Sequence, residues 1–597
     1  MSSDLFNNHI FDDRQIIIKF INLSWKYENS SKYAIRNINL EIRKGDVILI
    51  TGPSGSGKTT ICRCINGLIP HFYRGEQDGD VYVNELNTKD YDIPVLSTTV
   101  GFLFDTPSNQ LFCSTVEEEI AFGLENLCLP PIEIRKKVKE GLKFSRLIGN
   151  ETKSPHSLSG GQQQSLALAS ILVMQPDILV LDEPTANLDT IGTKLVFDRI
   201  IELSRNKEKT LIIVEHKVDE ILPIANRMIV MNEGNIILNG DPKNVIKELI
   251  NRNDVQIQLP DVTELAFELI KRGYNIDKIP ITLNEGVELI RNLIKNKEIV
   301  ISVNDGGVYL KNKEPRMLKD NVAIKCENVE YVYPDGTKAI SNLNLEIKEG
   351  DFVAFIGQNG SGKSTTAKLL NGLYKPTKGR ILLFGEDISK KDTADISSIV
   401  GYVFQNPDDQ FFAKTVREEL EFGPKNLKLP SDEIKRRVET VAKELEIYDY
   451  LESSPFALSQ GLRQRVAFAS IMTLEPKILI VDEPTTGQDY LRAKTVMDIC
   501  KSYNDKGKTV IVISHNMNLV AEYCNYAFVF KDGNILLKGP VREIFSQEEK
   551  LTQASLEPPM ITKLFNILSK EFNLPNNIIS VEEAISVLGV ASVSKPQ

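Results

Sequence analysis

Two glycine-rich loops of the same pattern occur in this chain, one in each half. The first reads Gly52-Pro-Ser-Gly-Ser-Gly-Lys58-Thr59, and the second reads Gly357-Gln-Asn-Gly-Ser-Gly-Lys363-Ser364. Each loop follows an apolar run typical of a buried strand, residues 47–50 or 352–355, and each opens into a helix-like segment. Strand, glycine loop and helix in this order form the context in which such a loop binds phosphate. The repeat therefore predicts two nucleotide-binding α/β units in one chain.

The two loops also predict how phosphate is held. Backbone N–H groups next to the glycines can close around phosphate oxygens, and Lys58 and Lys363 can reach the outer phosphates. The hydroxyls of Thr59 and Ser364 are predicted ligands of Mg²⁺. The ATP-binding residues predicted in the loops are Gly52, Ser54, Gly55, Gly57, Lys58, Thr59 and Thr60 in the first half, and Gly357, Asn359, Gly360, Gly362, Lys363, Ser364 and Thr365 in the second.

A second motif in each half is an apolar run that ends in two acids. Residues 178–181 and 478–481 are apolar, and Asp182-Glu183 and Asp482-Glu483 follow them. Four apolar residues predict a central strand, whose carboxyl end is where α/β folds bind ligands. We expect the aspartates to hold Mg²⁺ and the glutamates to polarise a water aimed at the γ-phosphate. The alternative, a helix cap or surface turn, loses weight because the motif follows a phosphate loop in both halves.

Composition limits the function classes. The chain has 597 residues, 42% of them hydrophobic, which is enough for two large cores. Its 71 basic and 81 acidic residues give a formal charge of −10, which argues against general nucleic-acid binding. No apolar run approaches the roughly 18 residues that span a bilayer, and the polar start lacks the regions of a signal peptide. We therefore expect a cytosolic chain or one bound to a membrane only through partners.

The segment between loop and acids identifies a family resemblance. In the first half it contains Leu158-Ser-Gly-Gly-Gln162 followed by a helix-like run. This pattern resembles the ATP-binding cassette (ABC) ATPases, and the resemblance covers nearly the whole chain twice. It implies an α/β fold with two P-loop NTPase domains of ABC type, each with an α-helical signature subdomain, plus small helical C-terminal extensions. The implied domains are a first ATPase domain at 1–250, a helical extension and linker at 251–318, a second ATPase domain at 319–550 and a helical extension at 551–597.

The resemblance implies roles for further residues. Tyr27 and Tyr333 look like the aromatic residues that stack on adenine, and His216 and His515 look like the switch histidines. Gln405 looks like the nucleotide-sensing glutamine, which is also a Mg²⁺ ligand. Asp189 and Asp489 look like the inter-subunit aspartates. Glu183 and Glu483 look like the catalytic acids, with His216, His515 and Gln405 assisting them. Each of these residues could instead serve only in packing, in helix capping or at the surface. This alternative loses weight because the whole set occurs in the family's order in both halves.

In this family two cassettes meet head to tail, so each ATP lies between the phosphate loop of one half and the signature of the other. The signature residues implied to contact nucleotide are Ser159, Gly160, Gly161 and Gln162 in the first half and Ser459 and Gly461 in the second. The glycines allow a helix N-terminus to approach the γ-phosphate. One chain would thus form an internal pseudo-dimer that closes around two ATP molecules.

The two predicted sites differ. The second signature carries Gln460 and Leu462 where the first has Gly160 and Gln162, and Asp105 stands where the second half has Gln405. All three departures fall on the site built on the first loop. We therefore expect the site built on Lys363 to carry most of the hydrolysis and the other to hold ATP longer.

The stretches after the glutamine position narrow the subgroup. Residues 109–127 and 409–427 resemble the ATPase components of energy-coupling factor importers of vitamins, cobalt or nickel. The resemblance implies a transmembrane coupling subunit docked near 105–110 and 405–410, a substrate-binding membrane subunit that sets selectivity, and a peripheral location on the cytoplasmic face of the membrane. Two rival classes are a soluble tandem ABC ATPase acting on ribosomes and one acting in DNA repair. The former would be expected to show a basic arm or iron–sulfur cysteines and the latter zinc-binding cysteine pairs or a long coiled coil, and the sequence shows none of these.

Overall fold

The computed structural model describes residues 14–28, 30–185, 188, 190–205, 208–252, 255, 257–296, 299–301, 321–484 and 490–590. Contacts within the chain divide it into two units. The first lies within Met1–Pro260 and Asp277–Ile281, and the second within Asp261–Ile276 and Thr282–Gln597. Each unit contains one of the two phosphate loops.

A six-stranded sheet forms the centre of the first unit. In spatial order its strands are Asn235–Gly240, Arg227–Asn232, Val47–Thr51, Thr210–Val214, Ile178–Asp182 and Val100–Leu103. All pairs are parallel except the one made by the edge strand Asn235–Gly240. Every residue of Val47–Thr51 and Ile178–Asp182 is buried, as expected for parallel strands covered on both faces. The carboxyl ends of these two strands therefore lie on the same edge of the sheet, and both predicted motifs follow them.

An antiparallel sheet and helices complete the first unit. The antiparallel strands, in spatial order, are Ile35–Arg43, Ile16–Tyr27, Gly75–Val83 and Leu86–Asn87. The α-helices are Lys58–Ile65, Leu68–His71, Ile93–Ser97, Val116–Asn126, Pro131–Ser145, Gly160–Leu172, Thr190–Ser204 and Pro242–Leu249, with 3₁₀ turns at Pro107–Asn109 and Pro155–Ser157. Val116–Asn126, Pro131–Ser145 and Gly160–Leu172 pack on one another as a helical subdomain.

The second unit repeats this plan. Its six-stranded sheet has the order Val400–Val403, Ile478–Asp482, Thr509–Ile513, Phe352–Gly357, Tyr526–Lys531 and Asn534–Pro540, and its four-stranded sheet has the order Lys338–Lys348, Val322–Val332, Lys378–Leu383 and Glu386–Asp387. The helices of the cassette are Lys363–Leu370, Thr393–Ser397, Val416–Asn426, Ser431–Glu444, Gln460–Met472, Tyr490–Asp505, Met517–Tyr523 and Val541–Phe545, with 3₁₀ turns at Pro407–Asp409, Tyr448–Tyr450 and Pro455–Ala457. The predicted fold, two α/β cassettes with helical signature subdomains, is confirmed.

The two predicted extensions pack together inside the second unit. Their elements are Asp261–Lys271, Leu283–Lys295 and strand Ile299–Ile301 from the first extension, and Glu548–Gln553, Met560–Leu568, Val581–Val587 and strand Leu588–Val590 from the second. The two short strands pair antiparallel, with Ile299 opposite Val590. The buried carboxylate of Asp261 accepts hydrogen bonds from the Ile561 backbone N–H at 2.9 Å and from Asn518 Nδ2 at 3.1 Å. Residues 302–318 of the predicted extension and linker lie outside the described residues.

Within the part of the chain that the structure describes, no helix combines the length and the apolar composition needed to cross a bilayer.

Candidate nucleotide-binding and catalytic sites

Each phosphate loop has a backbone that only glycine can form. Gly52 has φ 140°, and a Cβ there would lie 2.1 Å from the carbonyl oxygen of Met231. Gly357 has φ 151°, and its Cβ would lie 2.4 Å from the carbonyl oxygen of Phe530. Both conditions exclude a side chain. The two loops therefore have the compact turn, followed directly by a helix N-terminus, that a phosphate-binding backbone requires.

The loop lysines lie inside the turns they follow. Lys58 Nζ donates to the carbonyl oxygens of Gly52 at 2.9 Å and Pro53 at 3.0 Å. Lys363 Nζ donates to those of Gly357 and Gln358, both at 2.8 Å. Both lysines are buried, and a buried ammonium is stable only where it is hydrogen-bonded. The carbonyls thus fix each positive charge within the loop, where it can attract a phosphate.

The predicted metal ligands come together in both halves. Thr59 Oγ1 donates to Asp182 Oδ1 at 3.2 Å, and Ser364 Oγ donates to Asp482 Oδ1 at 3.1 Å. A hydroxyl and a carboxylate at the edge of a phosphate loop are the hard oxygen donors that suit Mg²⁺, which takes its remaining ligands from water and substrate phosphates. The described residues contain no cluster of three or more His, Cys, Asp or Glu that could hold a metal alone. The donor set fits Mg²⁺ bound together with a nucleotide.

The two aspartates have different surroundings. Burial raises the pKa of Asp182 to about 7, with repulsion from Glu183 and Asp105 adding to the shift and the Thr59 hydrogen bond opposing it. Burial also raises the pKa of Asp482, but there the Tyr402 hydroxyl, which donates to Oδ2 at 2.5 Å, opposes the shift. The position of Tyr402 is occupied by Phe102 in the first half. The first site therefore holds its aspartate with one hydrogen bond fewer.

Each predicted catalytic glutamate is paired with its switch histidine. His216 Nε2 lies 3.0 Å from Glu183 Oε1, and His515 Nε2 lies 2.9 Å from Glu483 Oε1. Glu183 has φ 49° and Glu483 has φ 45°, in the left-handed region that non-glycine residues adopt rarely. Strained backbone of this kind clusters at functional sites. The turn aims each carboxylate away from the strand that precedes it, toward the histidine.

The glutamine position distinguishes the two sites. Gln405 Nε2 donates to Glu483 Oε2 at 3.2 Å, so Glu483 is held by Gln405 on one oxygen and by His515 on the other. Asp105 is acceptor-only when ionised and adds its charge near Asp182. The predicted role of Gln405 as a Mg²⁺ ligand stays a prediction, since its amide contacts the glutamate.

The signature helices also differ at their first turn. The helix Gly160–Leu172 begins with a capping box: Ser159 Oγ accepts from the Gln162 backbone N–H, and Gln162 Oε1 accepts from the Ser159 N–H. The helix Gln460–Met472 has no side-chain cap at Ser459, and Leu462 has no oxygen to accept from the Ser459 N–H. The signature glutamine thus has a local structural role that the sequence analysis missed, although the S-x-x-Q spacing is the signal of a capping box.

The predicted adenine aromatics lie beside the loop helices. The Tyr27 and Tyr333 hydroxyls lie 3.2 Å from Thr60 Oγ1 and 2.8 Å from Thr365 Oγ1. Each ring meets a second tyrosine edge-on, Tyr73 at 6.1 Å and Tyr374 at 6.0 Å between centroids. These partners were not predicted, because neither lies in a motif. Asp189 and Asp489 lie outside the described residues.

A further acid at the first site escaped the sequence analysis. Glu215 precedes the switch histidine and is buried, whereas Ser514 occupies this position in the second half. Burial, followed by repulsion from Glu183, raises the pKa of Glu215 to about 7, while His216 and Lys217 oppose the shift. Its Oε2 has no hydrogen-bond partner within the described residues. The signal in the sequence was the replacement of Ser by Glu inside an otherwise apolar strand end.

Comparison with known proteins agrees with this geometry. The family model described as "ABC transporter" matches residues 35–186 and 340–486. A protein of Caldanaerobacter subterraneus described as an ABC transporter ATP-binding protein is 42% identical over 96% of this chain and 99% of its own length. One of Methanosarcina mazei with the same description is 39% identical over 98% of this chain and 99% of its own length. The solved structure of cbiO1 from Clostridium perfringens, part of the ABC transporter complex cbiONQ, is 36% identical, with 42% of this chain and 100% of that chain covered and a TM-score of 0.37.

Proposed function

The chain belongs to the ABC transporter ATPase family, and from this premise we propose that it is the ATPase subunit of an energy-coupling factor type importer. Hydrolysis in this chain would drive uptake of a vitamin, a vitamin precursor or a transition-metal ion through separate membrane subunits. The observation that carries the proposal is a pair of exposed aromatic rings that recurs beside the glutamine position in both cassettes.

The exposure and packing of these rings support the binding of a partner. Phe112 is 62% exposed and meets Phe122 edge-on at 4.6 Å, and Phe412 is 60% exposed and meets Phe422 at 4.3 Å. Apolar side chains grouped on a surface mark interaction sites, and aromatic residues are enriched where proteins bind one another. In both halves the N–H of the first phenylalanine donates to a buried glutamate, Glu119 at 3.0 Å or Glu419 at 3.1 Å. The segment that carries the exposed ring is therefore fixed to the helical subdomain.

The occupant we propose for each aromatic pair is an apolar helix end of the transmembrane coupling subunit. The pair begins a few residues after the segment 105–110 or 405–410, whose first residue is Asp105 or Gln405. In the second half Gln405 donates to Glu483. The amide of Gln110 ties this segment to its strand by bonding Phe104 N and Phe102 O, each at 3.2 Å. A movement of the bound helix would thus reach the nucleotide site through a short segment of the chain.

The residues of the nucleotide-binding sites would carry out ATP hydrolysis. The loop backbone and Lys363 would bind the phosphates, and Glu483 would orient and polarise the attacking water while His515 and Gln405 hold its carboxylate. Ser364 and Asp482 would hold Mg²⁺, which when bound neutralises charge on the phosphates. Lys58, Thr59, Asp182, Glu183 and His216 form the corresponding set in the first half.

We further propose that each ATP is completed by the signature of the other cassette, so that one chain forms two composite sites. The site that combines Lys363, Gln405 and Glu483 with residues 159–162 would carry most of the turnover. The site that combines Lys58, Asp105 and Glu183 with Ser459 and Gly461 would bind ATP and turn it over slowly. Gln460 and Leu462 weaken its signature, and Asp105 adds negative charge beside its phosphates.

The proposed location is the cytoplasmic face of the cell membrane, reached through the membrane partners, and no nucleic-acid partner is proposed. The domain division 1–250, 251–318, 319–550 and 551–597 is likewise a proposal. The pairing of strands Ile299–Ile301 and Leu588–Val590 supports a role of the two extensions in joining the two halves of the chain.

Co-purification tests the importer assignment. The full chain is purified from detergent-solubilised membranes, beside a variant with Phe112→Ser and Phe412→Ser, and the bound proteins are identified by mass spectrometry. We expect multi-spanning membrane proteins with the unaltered chain and their loss with the variant, while ATP binding by the detergent-free chain is unchanged. Sedimentation with ribosomes and absence of a membrane partner would contradict the proposal.

A further inference from the structure

Asp482 is held through both of its carboxylate oxygens. Oδ1 accepts from Ser364 Oγ at 3.1 Å, and Oδ2 accepts from the Tyr402 hydroxyl at 2.5 Å. A carboxylate bonded at one oxygen can still turn about its Cβ–Cγ bond, whereas one bonded at both oxygens has a fixed plane. The hydroxyl of Tyr402 therefore decides how the second cassette presents Asp482.

Tyr402 is itself rigidly placed. It belongs to the edge strand Val400–Val403 and pairs in parallel register with Ile480, two residues before Asp482. The residue is 4% exposed, and its ring meets that of Phe404 at 5.1 Å. A buried side chain that is fixed by strand register and ring packing can hold a neighbour within a narrow range of geometry.

The first cassette lacks this arrangement. Phe102 occupies the equivalent position, in register with Val180, and has no hydroxyl. Within the described residues, Asp182 accepts a hydrogen bond from Thr59 alone. The backbone and the ring are thus the same in both halves, and the difference is one oxygen atom.

We propose that Tyr402 is a positioning residue that orients Asp482 for the metal–nucleotide complex at the second site, and that its replacement by Phe102 loosens the first site. The inference rests on the proposed role of Asp482 toward Mg²⁺. Groups that hydrogen-bond a metal ligand fix its orientation, and their loss typically costs about 10- to 100-fold in metal affinity or activity. Tyr402 acts through Asp482 and does not itself contact the nucleotide.

The test measures metal binding without turnover. The full-length chain carries Lys58→Ala, which removes phosphate binding at the first site, and is titrated with Mn²⁺ in the presence of a non-hydrolysable ATP analogue. Free Mn²⁺ is followed by electron paramagnetic resonance. We expect Tyr402→Phe to weaken Mn²⁺ binding about 10-fold and to leave binding of the analogue in EDTA unchanged.

Tyr523→Phe is the matched control. The Tyr523 hydroxyl also donates to a carboxylate at 2.5 Å, that of Asp498, in the same unit but away from the loop. The Tyr523→Phe substitution removes the same kind of hydrogen bond as Tyr402→Phe, so we expect a comparable loss of stability and no change in Mn²⁺ affinity. Equal Mn²⁺ affinity in the Tyr402→Phe and control chains would overturn this inference and leave the proposed metal site intact. If the Lys58→Ala chain itself binds no Mn²⁺ with the analogue, the proposed metal site fails as well.

The reciprocal exchange tests the difference between the sites. In a full-length chain with Lys363→Ala, Phe102→Tyr is expected to tighten Mn²⁺ binding at the first site several-fold. Unchanged affinity would overturn the claim that this hydroxyl distinguishes the two sites.

Discussion

The two cassettes share one architecture and differ in the side chains around the same proposed catalytic pair. In both cassettes a histidine lies within hydrogen-bonding distance of a glutamate whose φ angle is positive. At the second site the neighbours of the acidic pair are donors: Gln405 donates to Glu483, and Tyr402 donates to Asp482. At the first site Asp105 and Phe102 occupy the positions of Gln405 and Tyr402, and Glu215 stands where the second half has Ser514. The two halves therefore have the same fold, and they differ in a few side chains that set charge and hydrogen bonding at the proposed sites.

The largest expected effect comes from removing each catalytic glutamate in turn. Glu483→Gln is expected to lower steady-state ATP turnover about 100-fold or more, because the proposed general base is lost from the site proposed to carry most of the turnover. Glu183→Gln is expected to lower it only a few-fold, since the first site is proposed to contribute little turnover. Phosphate release by the purified chain measures both variants. Equal losses would break the proposed asymmetry.

Glu215 should make the stability of the first unit depend on pH. Its pKa is raised from 4.5 to about 7, so above pH 4.5 the folded chain retains a proton that the unfolded chain has released. Stability is therefore lost as the pH rises through this window. We expect Glu215→Gln to raise the free energy of unfolding by about 2–3 kcal/mol above pH 7 and by nothing near pH 4.

The chain's single tryptophan, Trp25, is buried in the first unit, so its fluorescence during urea unfolding measures this effect. Ser514→Ala, at the equivalent position of the second half, is the control and should leave the tryptophan transition unchanged at every pH. A pH-independent effect of Glu215→Gln would show that the carboxyl is not held neutral.

Exchanging the glutamine-position residues should change turnover less. Gln405→Asp removes the hydrogen bond to Glu483 and places a second charge beside it, and we expect a loss of about tenfold in turnover. Asp105→Gln, made in a chain that also carries Glu483→Gln, should raise the residual turnover of the first site. ATPase assays compare the unaltered chain, Gln405→Asp, Glu483→Gln and the Asp105→Gln, Glu483→Gln double variant. A Gln405→Asp chain as active as the unaltered one would show that this residue does not distinguish the two sites.

The smallest expected effect concerns the signature caps. Gln162→Leu breaks the capping box of the first signature helix, and we expect the first unit to lose about 1 kcal/mol of stability, measured by Trp25 fluorescence. Leu462→Gln completes the box in the second and should stabilise that unit by a similar amount in thermal unfolding followed by circular dichroism. Unchanged stability in both variants would mean that the signature glutamine matters only for nucleotide contact.

Much of each site was predictable because its residues are local in sequence. The loop glycines, Lys58 and Lys363 lie within one turn, and their spacing alone predicts a phosphate cradle. The pairing of Glu483 with His515 was predicted only as a shared role, and its hydrogen bond depends on the neighbouring strands Ile478–Asp482 and Thr509–Ile513. Tyr402 and Glu215 were missed because neither belongs to a motif.

The sequence by itself determined that this chain has two phosphate loops, two strand-borne acid pairs and one altered signature, because each is a short pattern with its own local geometry. Only the tertiary structure decided which distant side chains meet. The register of Val400–Val403 against Ile478–Asp482 brings the Tyr402 hydroxyl to Asp482, and the packing of the two extensions brings Asp261 to Ile561 and Asn518. Such contacts depend on strand order and on burial across the whole core, which no local pattern specifies.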